Sequence, residues 1–492
     1  MPYVLSLDEG TTSARTILFD EEARTVAAHQ IPIESRFPHS GWVEQDANEI
    51  WRAQKETVGA TLGKAGVAAD DVSALGITNQ RETTLVWDRK TGEPVSPAIV
   101  WQCRRTADAC RALTEAGQAV EVARRTGLVL DAYFSGTKIA WILDNVPDAR
   151  SRAENGELVF GTVDSWLVYK LTGGREHIID RTNASRTLLL NLASNEWDDA
   201  MLSLFGVPRA MLPRVVPSCG VVATTDGDQV GAEIPIAGLA GDQQSALFGQ
   251  ACFRLGLSKN TYGTGCFLLM HTGSKPAISN NRLLSTAASS PNAEPAFALE
   301  GSIFVAGAVV QWLRDELGMI ASAEESEAVA TTVADTAGVY VVPAFVGLGA
   351  PHWNADARGV VSGLTRGAGK AHIVRAALES IAYQTRELVE AMEADAGAPL
   401  AELRVDGGAA ANDFLMQFQA DILGKTVVRP KNLETTALGA AFLAGLATGV
   451  WKSTDELERF WRVDRRFEPT MNAERREGLY AGWRKAVKQA IL

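Results

Sequence analysis

The chain opens on a short apolar run, Val4-Leu5-Ser6-Leu7, then small and polar residues from Asp8 to Arg15, then a second run, Thr16-Ile17-Leu18-Phe19. Two such runs around a small-residue turn predict a β-hairpin, and Thr25 to Ile33 supplies a third strand. Asp46 followed by Glu49 has the spacing of a capping box. It opens a predicted helix that carries Ile50, Trp51, Val58 and Leu62 on one side. A short strand, Ala74-Leu75-Gly76-Ile77, ends at the polar cluster Thr78-Asn79-Gln80-Arg81-Glu82. Strands and helices alternate from there, which predicts an α/β protein with helix-covered sheets.

The pattern then repeats in part. Ile236 to Ala240 reads as a strand running into Gly241-Asp242-Gln243-Gln244, and Thr261-Tyr262-Gly263-Thr264-Gly265-Cys266 is a second small-residue turn before an apolar strand. At 492 residues the chain exceeds the roughly 250–300 at which single cores stop growing. We therefore expect two domains, 1–249 and 250–492. In the second, Val339 to Phe345 reads as a strand and Lys370 to Ala394 as a long helix with Ile373, Ala377, Ile381, Leu388 and Met392 near one face. Glu402 to Val405 leads into Asp406-Gly407-Gly408 and a helix from Asn412 to Leu423.

Charge and cysteine content narrow the classes. A net charge of −12 argues against a nucleic-acid surface. The five cysteines are scattered without a C-x-x-C pair, which argues against a disulfide framework or structural zinc and fits the cytoplasm. The N-terminus lacks the basic region of a signal peptide, and no apolar run approaches the ~20 residues of a membrane span. The six histidines show no ligand-like pairing, so a metal would be held by carboxylates and substrate, which suits magnesium.

Several segments have the composition of binding loops. In Asp8-Glu9-Gly10-Thr11-Thr12-Ser13-Ala14-Arg15, glycine permits close approach, hydroxyls and N–H groups can bind phosphate oxygens, and arginine can neutralise their charge. A plain hairpin turn has the same composition. Thr261 to Gly265 and Val405-Asp406-Gly407-Gly408-Ala409 offer the same chemistry in the second half, and structural tight turns look alike there too. Neither a Walker A sequence nor a G-x-G-x-x-G stands at a strand-to-helix junction. Arg81 beside Glu82 offers the donors and acceptors a vicinal diol requires, while Trp101 could pack its carbons. A surface ion pair and an ordinary core tryptophan are the competing readings. Asp242, after a strand and before a helix, is either a general base or a helix N-cap.

The motifs Asp8-Glu9-Gly10-Thr11-Thr12-Ser13, Asn79-Gln80-Arg81-Glu82, Trp101-Gln102-Cys103-Arg104-Arg105, Ala240-Gly241-Asp242-Gln243-Gln244, Tyr262-Gly263-Thr264-Gly265-Cys266-Phe267 and Val405-Asp406-Gly407-Gly408-Ala409 occur in that order. Together with Thr182 to Thr187 they resemble the glycerol-phosphorylating members of the FGGY carbohydrate kinase family, from about residue 4 to 450. The resemblance implies a two-domain actin/Hsp70/hexokinase-like ATPase fold with ATP and acceptor in the interdomain cleft. It implies that Thr11, Thr12, Ser13 and Arg15 contact nucleotide phosphates from the first domain, and Thr264, Gly307, Gln311, Gly408 and Asn412 contact the nucleotide from the second. It makes Arg81, Glu82, Tyr133, Asp242 and Gln243 glycerol ligands and Trp101 and Phe267 hydrophobic walls. Asp242 becomes the general base, with Asp8 and Asp242 on the side of a magnesium ion. A homodimer or homotetramer is implied as well.

Two departures stand out. Position 9 is Glu where the family motif usually has Gln. Thr225 to Glu233 carries acids where some members bind fructose 1,6-bisphosphate through a Gly-rich loop with a basic residue, so that regulation is not expected. Competing readings are a family kinase for another polyol or ketose, or an actin-like ATPase or regulatory protein.

Overall fold

The computed structural model describes residues 2–354 and 356–492. Its first sheet has six strands: β1 (Tyr3–Glu9), β2 (Ser13–Phe19), β3 (Thr25–Pro32), β4 (Val72–Asn79), β5 (Cys219–Thr224) and β6 (Pro235–Gly241), in the order β5-β6-β4-β1-β2-β3. The second has seven: β7 (Leu257–Tyr262), β8 (Cys266–Gly273), β9 (Leu284–Ala288), β10 (Ala296–Ile303), β11 (Glu402–Asp406), β12 (Val427–Pro430) and β13 (Val463–Phe467), in the order β9-β10-β8-β7-β11-β12-β13. Both share a plan. An antiparallel meander (β1-β2-β3; β7-β8-β10) is extended by two parallel strands (β4 and β6; β11 and β12). The echo in the sequence is a repeated sheet.

The first hairpin departs from expectation. Its strands run through Glu9 and from Ser13, so only Gly10 to Thr12 turn the chain, and Asp8 and Arg15 are cross-strand partners. Small polar residues mark the turn but do not stop pairing, because the ladder needs only backbone groups. Asp46 is the N-cap as expected, its side chain accepting from the backbone N–H of Asn48 and Glu49 at the start of α1 (Ala47–Ala65), but the capping box does not close, because the Glu49 carboxylate accepts from Glu34 N–H at 3.3 Å instead. The stretch Val339–Phe345 holds only a short strand, Tyr340–Val342, whereas the long helix runs from Lys370 to Ala396.

Two helices lie between the sheets, and the second stands on the half it does not come from. Helix α2 (Asp242–Gly249) follows β6 and touches both sheets: Leu247 packs with Leu269, Ala288 and Ala298 of the second, Phe248 with Ala237 of the first. Helix α3 (Thr435–Thr448) follows β12, and its Ala437, Leu438, Ala441, Phe442 and Leu443 pack on Val4, Ile17, Ala74 and Ala237 of the first. The two helices cross in direct contact. A Cβ on Gly439 would sit 1.9 Å from the carbonyl oxygen of Ser245, so only glycine permits this approach.

Candidate active site

Strand register brings the motifs to one edge. Glu9 lies opposite Asn79, and Asn79 opposite Gly241, so β1, β4 and β6 end at the same level. Gly10, Gln80 and Asp242 leave the sheet side by side, at the carboxyl ends where open α/β sheets bind ligands. Asp8 and Ala240 flank Thr78, two strand spacings or about 10 Å apart. In the second sheet Thr261 lies opposite Asp406, so the 263–265 turn and the Gly407-Gly408 loop share an edge. Gly407 has φ 84° and passes over Tyr262 so closely that a Cβ would lie 2.5 Å from its carbonyl oxygen.

Arg81 is the hub of the first set. Its Nε lies 3.1 Å from Asp242 Oδ1, and its terminal nitrogens grip Glu300 at 2.5 and 3.0 Å and reach Gln244 Oε1 at 3.3 Å. Arg186 donates to Glu82 Oε1 at 2.8 Å and to Glu300 Oε1 at 3.0 Å. Arg81, Glu82, Arg186 and Glu300 are all buried, so the surface-pair reading of Arg81–Glu82 fails. Buried charges persist only when paired and hydrogen-bonded. Burial alone would raise the Glu300 carboxyl, but Arg186 and Arg81 outweigh it and hold it at about 2. Burial raises Asp242 against the lowering pull of Arg81, which leaves a more basic carboxylate.

Asp242 is not the N-cap. Gly241 holds that position, and the Asp242 carboxylate accepts instead from its neighbour's backbone N–H, Gln243, at 2.8 Å. Gly241 N–H donates to Thr182 Oγ1 at 2.8 Å, which fixes the residue before it. Gln243 is held between Asp242 and Lys259, whose ammonium also donates to Thr261 Oγ1 at 2.9 Å.

The aromatic residues come together as well. Trp101 and Tyr133 meet edge to face with centroids 5.6 Å apart. Trp101 Nε1 donates to Thr11 Oγ1 at 2.8 Å, linking this wall to the first turn. The buried Lys138 ties the two segments together by donating to the carbonyls of Glu82 and Tyr133 at 2.9 and 2.8 Å, and burial lowers its ammonium to about 7. Phe267 pairs with Thr261 and Ser302 across β8, on the face shared by Lys259 and Glu300.

The phosphate-type turns are open to solvent on one side. Thr12, Thr264 and Gly408 are exposed, while Thr11 and Ser13 are half-buried. Ser13 Oγ accepts from Gln30 at 2.8 Å, and Arg15 bridges Asp8 at 2.7 Å and Glu434 at 2.6 Å. Gly307 N–H donates to the Gly263 carbonyl at 2.9 Å, and a Cβ on Gly307 would lie 2.6 Å from that oxygen. Gln311 is exposed one turn further along the helix Gly307–Asp315. Asn412 caps the helix Asp413–Leu423 by accepting from Leu415 N–H at 2.8 Å. Among the described residues no group of three or more His, Cys, Asp or Glu is arranged to hold a metal. Asp8 and Asp242 instead stand at separate strand ends, each beside an arginine.

Models of the N-terminal and C-terminal domains of the FGGY family of carbohydrate kinases match residues 3–249 and 258–448. The chain belongs to this family. Relatives include a glycerol kinase of Acidovorax sp. (strain JS42), 58% identical over 100% of both chains, and glycerol kinase 2 of Thermotoga maritima, 58% identical over 100% of this chain and 99% of that one. A solved glycerol kinase of Plasmodium falciparum with ADP superposes with a TM-score of 0.96 at 36% identity, covering 100% and 99% of the two chains. A xylulose kinase of Lactobacillus acidophilus, at 21% identity and a TM-score of 0.88 over 100% and 99%, shares the fold. The two-domain α/β architecture is thus that of FGGY kinases.

In this FGGY chain the residues that sequence reasoning missed are Arg186, Glu300, Lys259 and Lys138. The available signal was a charge inside an otherwise apolar strand, as in Ala298-Leu299-Glu300-Gly301, or in a helix that buries its face, as at Lys138. The Glu9 departure has a structural answer. Its side chain is fully buried on the core face of β1, and neither carboxylate oxygen has a hydrogen-bond partner. Burial, with Asp8 beside it, pushes that carboxyl well above its usual range. No helix among the described residues is long and apolar enough to cross a membrane, and all five cysteines are free and buried.

Proposed function

We propose that the protein transfers the γ-phosphoryl group of ATP to glycerol in glycerol catabolism, giving sn-glycerol 3-phosphate and ADP. The observation that carries this reading is the Arg81–Asp242 pair, 3.1 Å apart, beside Glu82 and the Trp101–Tyr133 wall. It is supported by relatives named glycerol kinase at 58% identity over the full chain. In this reading Asp242 accepts the proton of the attacking hydroxyl, a general-base contribution of roughly 10²–10⁴ in rate. Arg81, Glu82 and Gln243 orient the hydroxyls, and Trp101, Tyr133 and Phe267 pack the carbons. Thr11, Thr12, Ser13 and Arg15 bind nucleotide phosphates from the first domain (1–249). Thr264, Gly307, Gln311, Gly408 and Asn412 bind the nucleotide from the second (250–492). Phosphoryl transfer needs positioning and charge stabilisation above all, which these groups supply.

Magnesium usually binds through one or two carboxylates plus substrate phosphates, and the partly exposed Asp8 and Asp242 fit that role. When bound with ATP it would neutralise phosphate charge. The reading places the enzyme in the cytoplasm as a homodimer or homotetramer, supported by its free buried cysteines and by the family. A coupled ADP-release assay over glycerol, dihydroxyacetone, erythritol and xylulose tests it. Glycerol should give the highest kcat/KM. Equal ADP release with and without glycerol would refute it.

A further inference from the structure

Of the acidic groups around the candidate pocket, Glu300 comes from the other half of the molecule. It lies in the middle of β10 in the second sheet, yet both its oxygens are taken by guanidinium groups of the first half. One oxygen accepts from Arg81 Nη1 at 2.5 Å, the other from Arg81 Nη2 and Arg186 Nη2, each at 3.0 Å. Arginine has five N–H donors in a rigid fork. Glu300 and Gln244 take three of the four on the terminal nitrogens, and Asp242 stands 3.1 Å from Nε. One Nη2–H is left to meet a ligand, and its direction is set by the bidentate grip of Glu300.

We propose that Glu300 is a positioning residue for the acceptor site: by clamping Arg81, and through Arg186 also Glu82, it forms the pocket only when the two halves are apposed. This deepens the reading of the site as a glycerol kinase centre and rests on it. Glu300 touches no reacting atom; it acts through Arg81.

The test is steady-state kinetics of Glu300→Gln and Glu300→Asp on the full chain, varying acceptor and ATP separately. For Glu300→Gln the acceptor KM should rise 10- to 100-fold with ATP KM within 2-fold of wild type. Glu300→Asp, which keeps the charge, should show a smaller rise in acceptor KM. If Glu300→Gln does not fold, Glu300→Asp decides, since an acceptor KM equal to wild type would overturn the proposal. So would a parallel rise in both KM values, or an unchanged acceptor KM, in Glu300→Gln. Wild-type enzyme over the four-acceptor panel separates the two claims. If another acceptor replaces glycerol, the glycerol reading falls and the Glu300 test is run on that acceptor. ADP release with none of the four overturns both.

Discussion

Asp242 stands in the first turn of α2 without capping it, and its position explains why it can serve as a base. The carboxylate keeps its own neighbour's N–H and an arginine at 3.1 Å, while a third of its side chain remains open to the cleft. Asp242→Asn removes the proton acceptor but keeps size and hydrogen bonding. Turnover should fall by roughly 10²–10⁴ with ATP affinity within a few-fold, measured by single-turnover kinetics and nucleotide titration. Glu9 presents the opposite case, an acid with no partner. A carboxyl raised by burial contributes its stability below the unfolded value near 4.3 and loses it as pH rises towards the folded value. Glu9→Gln cannot ionise, so its melting temperature relative to wild type should climb from pH 5 to pH 8, with activity within a few-fold. A pH-independent difference would show that Glu9 does not ionise on unfolding.

Among the elements, the helix crossing is the constraint that reaches furthest. Because α2 begins at Asp242, anything that moves α2 moves the proposed base. Gly439→Ala places a methyl 1.9 Å from the Ser245 carbonyl, and overpacking of this kind costs roughly 1–3 kcal/mol. Lower urea stability together with a fall in kcat/KM is expected; a stability loss with unchanged kinetics would mean the crossing can shift without disturbing α2. Elements of this kind were only partly legible. The strands around Leu75, Leu239 and Val405 read directly from apolar runs that end in polar residues. The first turn was read too long, since Asp8 and Arg15 carry loop-like side chains on paired backbone. That α3 would leave its own half to cover the other sheet has no sequence signature. An apolar helix face shows that it is buried, but not against what.

At the level of the whole molecule, the repeated sheet puts two Gly/Thr turns and two parallel strand ends around one cleft, and that much was visible as a repeated motif. The charge network was not. Arg81 and Glu300 are 219 positions apart, and each alone resembles an ordinary charged residue in a strand or loop. Their pairing emerges only when the sheets face each other, which is why the proposed acceptor pocket could be named by its Arg81, Glu82, Trp101 and Tyr133 but not by what holds them.

The seat of α3 on the first sheet, with Leu247 of α2 against the second, also determines how the chain can be divided. A cut in the exposed loop between Arg254 and Leu255 would leave the first fragment without α3, baring Val4, Ile17, Ala74 and Ala237. The second fragment would carry α3 with nothing beneath it and would lose the cover of Leu269, Ala288 and Ala298. Large bare apolar faces drive aggregation. Expressed singly, the fragments should be insoluble; expressed together, they should reassemble into an active, non-covalent enzyme, scored by co-purification and ADP release. The molecule would then be a natural split reporter, one in which neither piece carries signal on its own because each holds part of the other's interior.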